Sequence, residues 1–140
     1  MVDRFKILLV DDEPDFLETL LKRLRRREVD VDGVESGEKA LERLDRNPVD
    51  VVILDVRMPG MDGIQTLKEI KARYPLIEVI MLTGHASLEA AIQGMESGAF
   101  DYLMKPIDID DLLYKAQDAY KKKWIQAQKA RDIEVGDIMK

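Results

Sequence analysis

Short apolar runs alternate with longer amphipathic segments along the whole chain. Five runs predict strands, and in chain order they cover residues 6–10 (KILLV), 29–34 (VDVDGV), 49–54 (VDVVIL), 78–82 (EVIML) and 100–104 (FDYLM). The first, third and fourth runs are mostly apolar, which is typical of strands buried on both faces of a sheet. The second run alternates between polar and apolar residues, so we expect it near an edge of the sheet.

Apolar residues recur at helical spacing between these runs, and each stripe predicts a helix that packs on the sheet. The stripes are Leu17, Leu20, Leu21 and Leu24; Ala40, Leu41 and Leu44; Ile64, Leu67 and Ile70; Leu88, Ala91, Ile92 and Met95; and Leu112, Leu113, Ala116 and Tyr120. Alternating strands and helices predict an α/β fold, with a five-stranded parallel sheet and helices on both faces. Right-handed crossovers leave few topologies. They favour the doubly wound, flavodoxin-like order 2-1-3-4-5, with a site at the carboxyl ends of the strands.

Composition narrows the classes of function. A length of 140 residues suits one domain, and a net charge of −6 argues against direct binding of nucleic acid or of an anionic membrane. The chain has no cysteine, which excludes disulfides and thiolate metal sites and fits a cytoplasmic protein. No apolar run approaches the roughly 18 residues of a membrane span. The N-terminal sequence also lacks the pattern of a signal peptide.

Polar residues follow four of the predicted strands. Asp11 and Asp12 follow the first strand, Asp55 the third, Thr83 the fourth and Lys105 the fifth. These strands are neighbours in the predicted order, so the five side chains should meet in one crevice. Carboxylates about 4–5 Å apart repel by roughly 4 kcal/mol per pair at an effective dielectric near 20, and a hard cation such as Mg²⁺ or Ca²⁺ relieves that cost. Lys105 and Thr83 suit a phosphoryl group, and an aspartate such as Asp55 can form an acyl phosphate.

Each of these residues also has a plain structural interpretation. Asp11 and Asp12 precede Pro14 and could cap a helix. Asp55 could cap a turn, and a single lysine or threonine after a strand is usually an ordinary loop residue. The coincidence of all five positions at one sheet edge favours the functional interpretation.

Four motifs occur in order, at 7–13 (ILLVDDE), 51–63 (VVILDVRMPGMDG), 79–87 (VIMLTGHAS) and 98–107 (GAFDYLMKPI). Together they make about residues 5–122 resemble the receiver domain of bacterial two-component response regulators. The resemblance implies a receiver domain over 1–123 and a helical extension or linker over 124–140. It also implies a signalling phosphoacceptor rather than an enzyme, whose only reactions are its own phosphotransfer and autodephosphorylation.

The resemblance assigns the acidic residues to phosphorylation and to metal binding. Asp55 is the expected phosphoacceptor. Asp12 is the expected direct ligand of Mg²⁺, and Asp11 acts through a metal-bound water. Asp55 and the backbone carbonyl of Arg57 complete the ligand set. The side chains of Arg57 and His85 are expected to border the site and to modulate the lifetime of the phosphoryl group.

The resemblance assigns the remaining residues to the switch. Thr83 is the expected hydroxyl that moves to the phosphoryl oxygens, and Tyr102 is its aromatic partner. Lys105 is expected to contact the phosphoryl group. The bond between Lys105 and Pro106 is expected to be cis, an uncommon state for an X–Pro bond.

The implied partners are a sensor histidine kinase or a phosphotransfer protein as donor, and an effector domain or partner protein as receiver of the signal. The receiving face is expected at the fourth helix, the fifth strand and the fifth helix, without direct nucleic-acid or membrane contact. The last helix is predicted to run to about residue 131, which would expose Trp124 to a second copy of the chain or to an effector domain. A frayed tail is the alternative.

Three other classes of protein fit the sequence less well. A flavin-binding electron carrier would need a loop rich in Ser, Thr and Gly after the first strand, whereas this chain has DDEPD at 11–15. An aspartyl-phosphate phosphatase would need a DxDxT motif and a cap, and the sequence offers neither. An interaction module with an idle phosphosite is disfavoured by the complete acidic set, and a labelling experiment separates the two.

Overall fold

The computed structural model describes residues 4–58, 60–84 and 88–138. Over these residues strands and helices alternate: β1 (Lys6–Val10), α1 (Pro14–Arg26), β2 (Asp30–Val34), α2 (Gly37–Arg46), β3 (Val51–Asp55), α3 (Gly63–Arg73), β4 (Glu78–Thr83), α4 (Leu88–Glu96), β5 (Asp101–Met104) and α5 (Ile109–Ile138). All strand pairs are parallel, and the sheet order is β2-β1-β3-β4-β5. The predicted α/β fold and strand order are therefore confirmed.

The core lies in two layers, one on each face of the sheet. Successive residues of a strand point to opposite faces. In β1, Leu8 and Val10 join the layer beneath α2 and α3, whereas Ile7 and Leu9 join the layer beneath α1 and α5. Every residue of β3 is buried. Burial on both faces explains why these strands are continuous apolar runs in the sequence.

Helix α4 differs from its prediction. Ala91 is buried, but Ile92 and Met95 are 48% and 43% exposed. The expectation that the whole stripe packs on the sheet is therefore wrong for these two residues. The reason is that Gly94 faces the sheet and approaches Met81 in β4, which turns the larger apolar side chains outward.

Helix α5 is longer than predicted, because it continues to Ile138 rather than to about residue 131. Gly136 does not end it, since one glycine costs only about 1 kcal/mol in a helix of good helix formers. Tyr120 stacks on Phe5, with ring centroids 4.8 Å apart. Trp124, the first residue beyond the predicted domain boundary, is 54% exposed.

No helix in the described parts of the chain combines the length and the apolar character that a bilayer crossing requires.

Candidate functional site

The predicted site residues meet at the carboxyl edge of the sheet. Asp11 and Asp12 directly follow β1, Asp55 ends β3, Thr83 ends β4, and Lys105 directly follows β5. These strands are parallel neighbours, so their last residues share one edge. Asp55 and Thr83 are the last residues of two buried strands, and their side chains therefore lie at this edge, next to the loops that follow β3 and β4.

Three carboxylates form a tight cluster there. Asp11 and Asp55 are only 2% and 5% exposed, and Asp12 is half-buried. One oxygen from each of the three lies within 4.8 Å of the others. The donors are all oxygen, and with all three carboxylates ionised their charge exceeds that of the neighbouring Lys105 ammonium. A donor set of this kind fits a hard divalent cation such as Mg²⁺.

The ammonium of Lys105 lies inside this cluster. Its Nζ is 2.9 Å from Oδ2 of Asp11, 3.9 Å from Oε1 of Glu13 and 4.0 Å from Oδ2 of Asp55. The backbone N–H of Lys105 donates to the carbonyl of Thr83 at 2.8 Å, which fixes the loop against β4. Burial lowers the pKa of Lys105, but the hydrogen bond to Asp11 and the charges of Asp55, Asp11 and Glu13 outweigh it, so that pKa is raised overall.

Asp55 is poorly accommodated as an anion. Burial, followed by the charge of Asp11, raises its pKa from 3.8 to about 7. Lys105 and the backbone N–H of Arg57 lower the pKa, whereas Asp12 raises it further. A carboxylate must be ionised to act as a nucleophile. A cation held by the cluster would favour the ionised form.

The capping interpretation of these acids explains little of the geometry. The N-cap of α1 is Glu13, which makes no side-chain capping hydrogen bond. Asp11 instead accepts the N–H of Glu13 at 2.9 Å, inside the loop. Among the described residues, Asp55 accepts a long hydrogen bond from the N–H of Arg57, at 3.4 Å, and so long a bond compensates little for burying a carboxylate.

The other predicted residues lie around this centre. The side chain of Arg57 is exposed. Tyr102 is also exposed and is paired in register with Met81 of β4. The peptide bond from Lys105 to Pro106 is cis. The prediction for His85 falls outside the described residues.

Sequence patterns missed two features next to the site. The ring of Phe16 in α1 lies beneath Lys105, with Nζ 4.1 Å from the ring centroid. A cleft of about 530 Å³ lies between the loop after β3, at Arg57 and Met58, and helix α4, at Gln93. No local sequence pattern predicts the Phe16–Lys105 contact or this cleft, because each joins segments that are far apart in the chain. A larger cleft, of about 1050 Å³, lies at the opposite end of the sheet and contains none of the predicted site residues.

Comparison with known proteins agrees with this architecture. The family profile "Response regulator receiver domain" matches residues 7–117. "Transcriptional regulatory protein ZraR" of Escherichia coli (strain K12) is 44% identical over 79% of this chain and 25% of its own length. "DNA-binding transcriptional regulator NtrC" of Salmonella typhimurium is 38% identical over 92% of this chain and 27% of its own length. The chain therefore spans about a quarter of these relatives.

Solved structures give the same result. A response regulator receiver domain protein from Clostridium thermocellum superposes with a TM-score of 0.82 at 37% identity, over 87% of this chain and 98% of that one. NtrX from Brucella abortus superposes with a TM-score of 0.85 at 27% identity, over 92% of this chain and 29% of that one.

Proposed function

The chain belongs to the response regulator receiver domain family, and on that premise we propose that Asp55 is the residue at which it accepts a phosphoryl group. The observation that supports this assignment is the burial of Asp55 beside two further carboxylates and the Lys105 ammonium. Asp55 is also the acid that ends the central strand of the sheet. We further propose that phosphotransfer to Asp55 and hydrolysis of the product are the only reactions of the chain.

The proposed transfer makes one bond and breaks one. An oxygen of the ionised Asp55 carboxylate attacks the phosphorus of a phosphohistidine donor, and the bond from phosphorus to the histidine nitrogen breaks. The leaving imidazole keeps that electron pair and takes a proton from solvent. Negative charge spreads over the phosphoryl oxygens during this step. Lys105, 4.0 Å from Asp55, is placed to neutralise it.

We propose that Asp12, Asp55 and the backbone carbonyl of Arg57 hold a Mg²⁺ ion, and that Asp11 acts through a bound water. The all-oxygen donor set and its excess negative charge support this choice. When bound, the ion supplies positive charge to the carboxylates and to the phosphoryl oxygens. The hydrogen bond from Lys105 to Asp11 supports the secondary role of Asp11, because part of its charge is already paired.

Thr83 and Tyr102 are the proposed switch. Phosphorylation adds about −1.5 to −2 charge and new acceptor oxygens. The hydroxyl of Thr83, buried at the end of β4, donates to them, and Tyr102 turns inward from its exposed position. The surface that changes is formed by α4, β5 and α5. It already exposes apolar side chains suited to a partner, namely Ile92, Met95, Met104 and Tyr114.

The proposed phosphodonor is a sensor histidine kinase or a phosphotransfer protein in the cytoplasm. The proposed receiver of the signal is an effector domain or partner protein, because the named relatives are much longer than this chain. The net charge of −6 supports an output without direct nucleic-acid contact.

A homodimer that covers Trp124 is the alternative arrangement. Sedimentation velocity of the wild type and of Trp124→Ala, each with and without a phosphoryl mimic, distinguishes the two.

Incubation with acetyl phosphate and Mg²⁺, followed by intact-mass measurement, tests the acceptor. Wild-type protein should gain one phosphoryl group, and Asp55→Asn should gain none. Asp62→Asn is the matched control, because it changes an acid on the same loop, and asparagine keeps the N-cap of α3. Full labelling of Asp55→Asn at another residue would overturn the assignment.

A further inference from the structure

We propose that Phe16 is a positioning residue for phosphoryl transfer, because its ring holds the ammonium of Lys105 beside Asp55 when Asp11 is engaged by a cation. This role rests on the proposed function. The contact that carries this role joins Phe16 in α1 to Lys105 in the loop after β5. It is separate from the contacts between Lys105 and the clustered carboxylates.

The geometry is that of a cation–π contact. The Nζ of Lys105 lies 4.1 Å from the centroid of the Phe16 ring, well inside the roughly 6 Å range of this interaction. The Lys105 side chain is 15% exposed, and Phe16 is half-buried against the core beneath α1 and α5. Shielding from water strengthens the attraction between a cation and a ring.

The other partners of Lys105 do not hold it by themselves. Asp55, at 4.0 Å, is beyond hydrogen-bond distance. Glu13, at 3.9 Å, has a side chain that is mostly exposed, and such a pair contributes little. Among the described residues, Asp11 is the one anion within hydrogen-bond distance of this ammonium.

Asp11 is also one of the three clustered carboxylates, and a bound cation would engage it through the water proposed above. As the charge of Asp11 is drawn to a metal ion or to its water, the attraction of Asp11 for Lys105 weakens. A lysine side chain has a flexible four-carbon stem, so a weakened pair would let the ammonium leave Asp55. The Phe16 ring is neutral and does not bind the metal ion. Its cation–π contact with Lys105 therefore remains when the metal ion is bound.

The ordinary interpretation of Phe16 is a core aromatic. Phe16, Leu20 and Leu24 fall at i, i+4 and i+8, on the face of α1 that packs against the core. Leucine would fill much of that space but offers no ring to Lys105. Phe16→Leu therefore separates packing from cation binding, and Phe16→Tyr restores the ring.

Two measurements test the role. In metal-free protein, the ε-methylene protons of Lys105 should show a ring-current shift by NMR that disappears in Phe16→Leu and remains in Phe16→Tyr. With acetyl phosphate and Mg²⁺, Phe16→Leu should label Asp55 about 3- to 10-fold more slowly, which corresponds to about 0.7–1.4 kcal/mol at tenfold per 1.4 kcal/mol. Phe16→Tyr should label within about twofold of the wild type.

The control is Phe100→Leu. The Phe100 ring also lies near a lysine, with Nζ of Lys122 5.8 Å from its centroid, and Phe100 contacts the same core. The same substitution there should change neither the Lys105 resonances nor the labelling rate. If it slowed labelling as much as Phe16→Leu does, loss of core packing would be the cause and the proposal would fall.

A Lys105→Ala background completes the test, with labelling followed over hours. Because Phe16 acts through Lys105, adding Phe16→Leu to this background should cause no further slowing. Equal slowing in both backgrounds, or wild-type labelling of Phe16→Leu alone, would overturn the positioning role. A wild-type protein that takes no label at Asp55 would instead overturn the proposed function, and the wild-type measurement alone identifies that outcome.

Discussion

Gly94 in α4 and Met81 in β4 are in such close contact that any side chain at position 94 would collide with the methionine. A Cβ atom built at Gly94 would lie 1.8 Å from Cε and 2.3 Å from Sδ of Met81. Met81 is itself completely buried. The absent side chain of Gly94 therefore sets how closely α4 approaches the sheet.

Gly94→Ala should destabilise the protein by about 1 kcal/mol. Alanine gains up to about 1 kcal/mol of helix propensity over glycine, but overpacking a filled core costs typically 1–3 kcal/mol. Urea denaturation measures the difference. Gly136→Ala in α5 is the matched control, because nothing lies within 4 Å of a Cβ built there, and it should stabilise by about 0.5–1 kcal/mol. Equal stabilisation by both variants would show that the end of the Met81 side chain moves aside at little cost.

Helix α4 also shows where periodicity stops being informative. The apolar stripe correctly predicts a helix, but it places Ile92 and Met95 toward the sheet, whereas Gly94 occupies that side. On a hydrophobicity scale glycine has an intermediate value, so its position assigns it neither to the buried face nor to the exposed face of a helix. Only the three-dimensional approach to Met81 decides which side of α4 packs inward.

The acidic cluster was predictable for a simple reason. In a parallel sheet each strand ends at the same edge, so residues such as Asp55 and Thr83 that directly follow apolar runs meet there. The contact between Phe16 and Lys105 lacks such a rule, because it joins a helix face to a distant loop. Helix α5 exceeds its predicted end at about residue 131, because good helix formers continue to Ile138 and Gly136 alone does not interrupt them.

The protonation of Asp55 should make the stability of the folded protein depend on pH. Its pKa is 3.8 as an ordinary side chain and about 7 in the folded protein. Between these values the folded state binds the proton more tightly than the unfolded chain, so stability is present at low pH and is lost as pH rises toward 7. Metal-free wild type should therefore lose on the order of 2 kcal/mol relative to Asp55→Asn between pH 4 and pH 7.5.

Urea denaturation in the presence of a chelator, at several pH values, checks this difference. Asp62→Asn is the control for the loss of one carboxylate on the same loop, because Asp62 lies at the exposed N-cap of α3. A constant difference between wild type and Asp55→Asn from pH 4 to 7.5 would show that Asp55 does not titrate in this window.

Substitution of the two acids after β1 should weaken Mg²⁺ binding unequally. Asp12→Ala should lower the affinity more than Asp11→Ala, because the charge of Asp11 is partly committed to Lys105 and to the N–H of Glu13. We expect a loss of tenfold or more for Asp12→Ala, since loss of a residue that only hydrogen-bonds to a metal ligand costs typically about 10–100-fold and loss of a direct ligand costs at least as much. Isothermal titration calorimetry measures both. Undiminished affinity in the two variants would contradict the site.

Replacing Glu28 with glycine should increase the stability of the folded protein. It follows α1 with φ of 61°, a left-handed conformation that costs an L-residue about 1–2 kcal/mol. Its N–H donates to the carbonyl of Arg25, so the turn is fixed. Glu28→Gly should stabilise by about 0.5–1 kcal/mol after the added entropy of the unfolded chain is counted. Glu28→Ala removes the same charge but keeps the Cβ, and in thermal denaturation it should show no comparable gain.

A buried acid at the other end of the sheet depends on two lysines. Glu78, at the start of β4, is 1% exposed, and its two carboxylate oxygens lie 3.4 Å from Nζ of Lys71 and of Lys122. Lys71 also donates to the carbonyls of Pro75 and Ile77, at 2.8 Å each. Lys71 is therefore the more committed of the two partners.

Lys71→Met should destabilise by about 2–4 kcal/mol, because it leaves a buried carboxylate with one half-exposed partner and removes the donor from two carbonyls. Lys122→Met should cost less, about 1 kcal/mol, since the Lys122 side chain is 46% exposed. Arg73→Met is the control in the same segment of α3, and its exposed pairs with Glu69 and Asp45 should each contribute less than about 0.5 kcal/mol. Urea denaturation at pH 7 ranks the three variants. If Lys71→Met cost no more than Arg73→Met, Glu78 would be accommodated without its lysine.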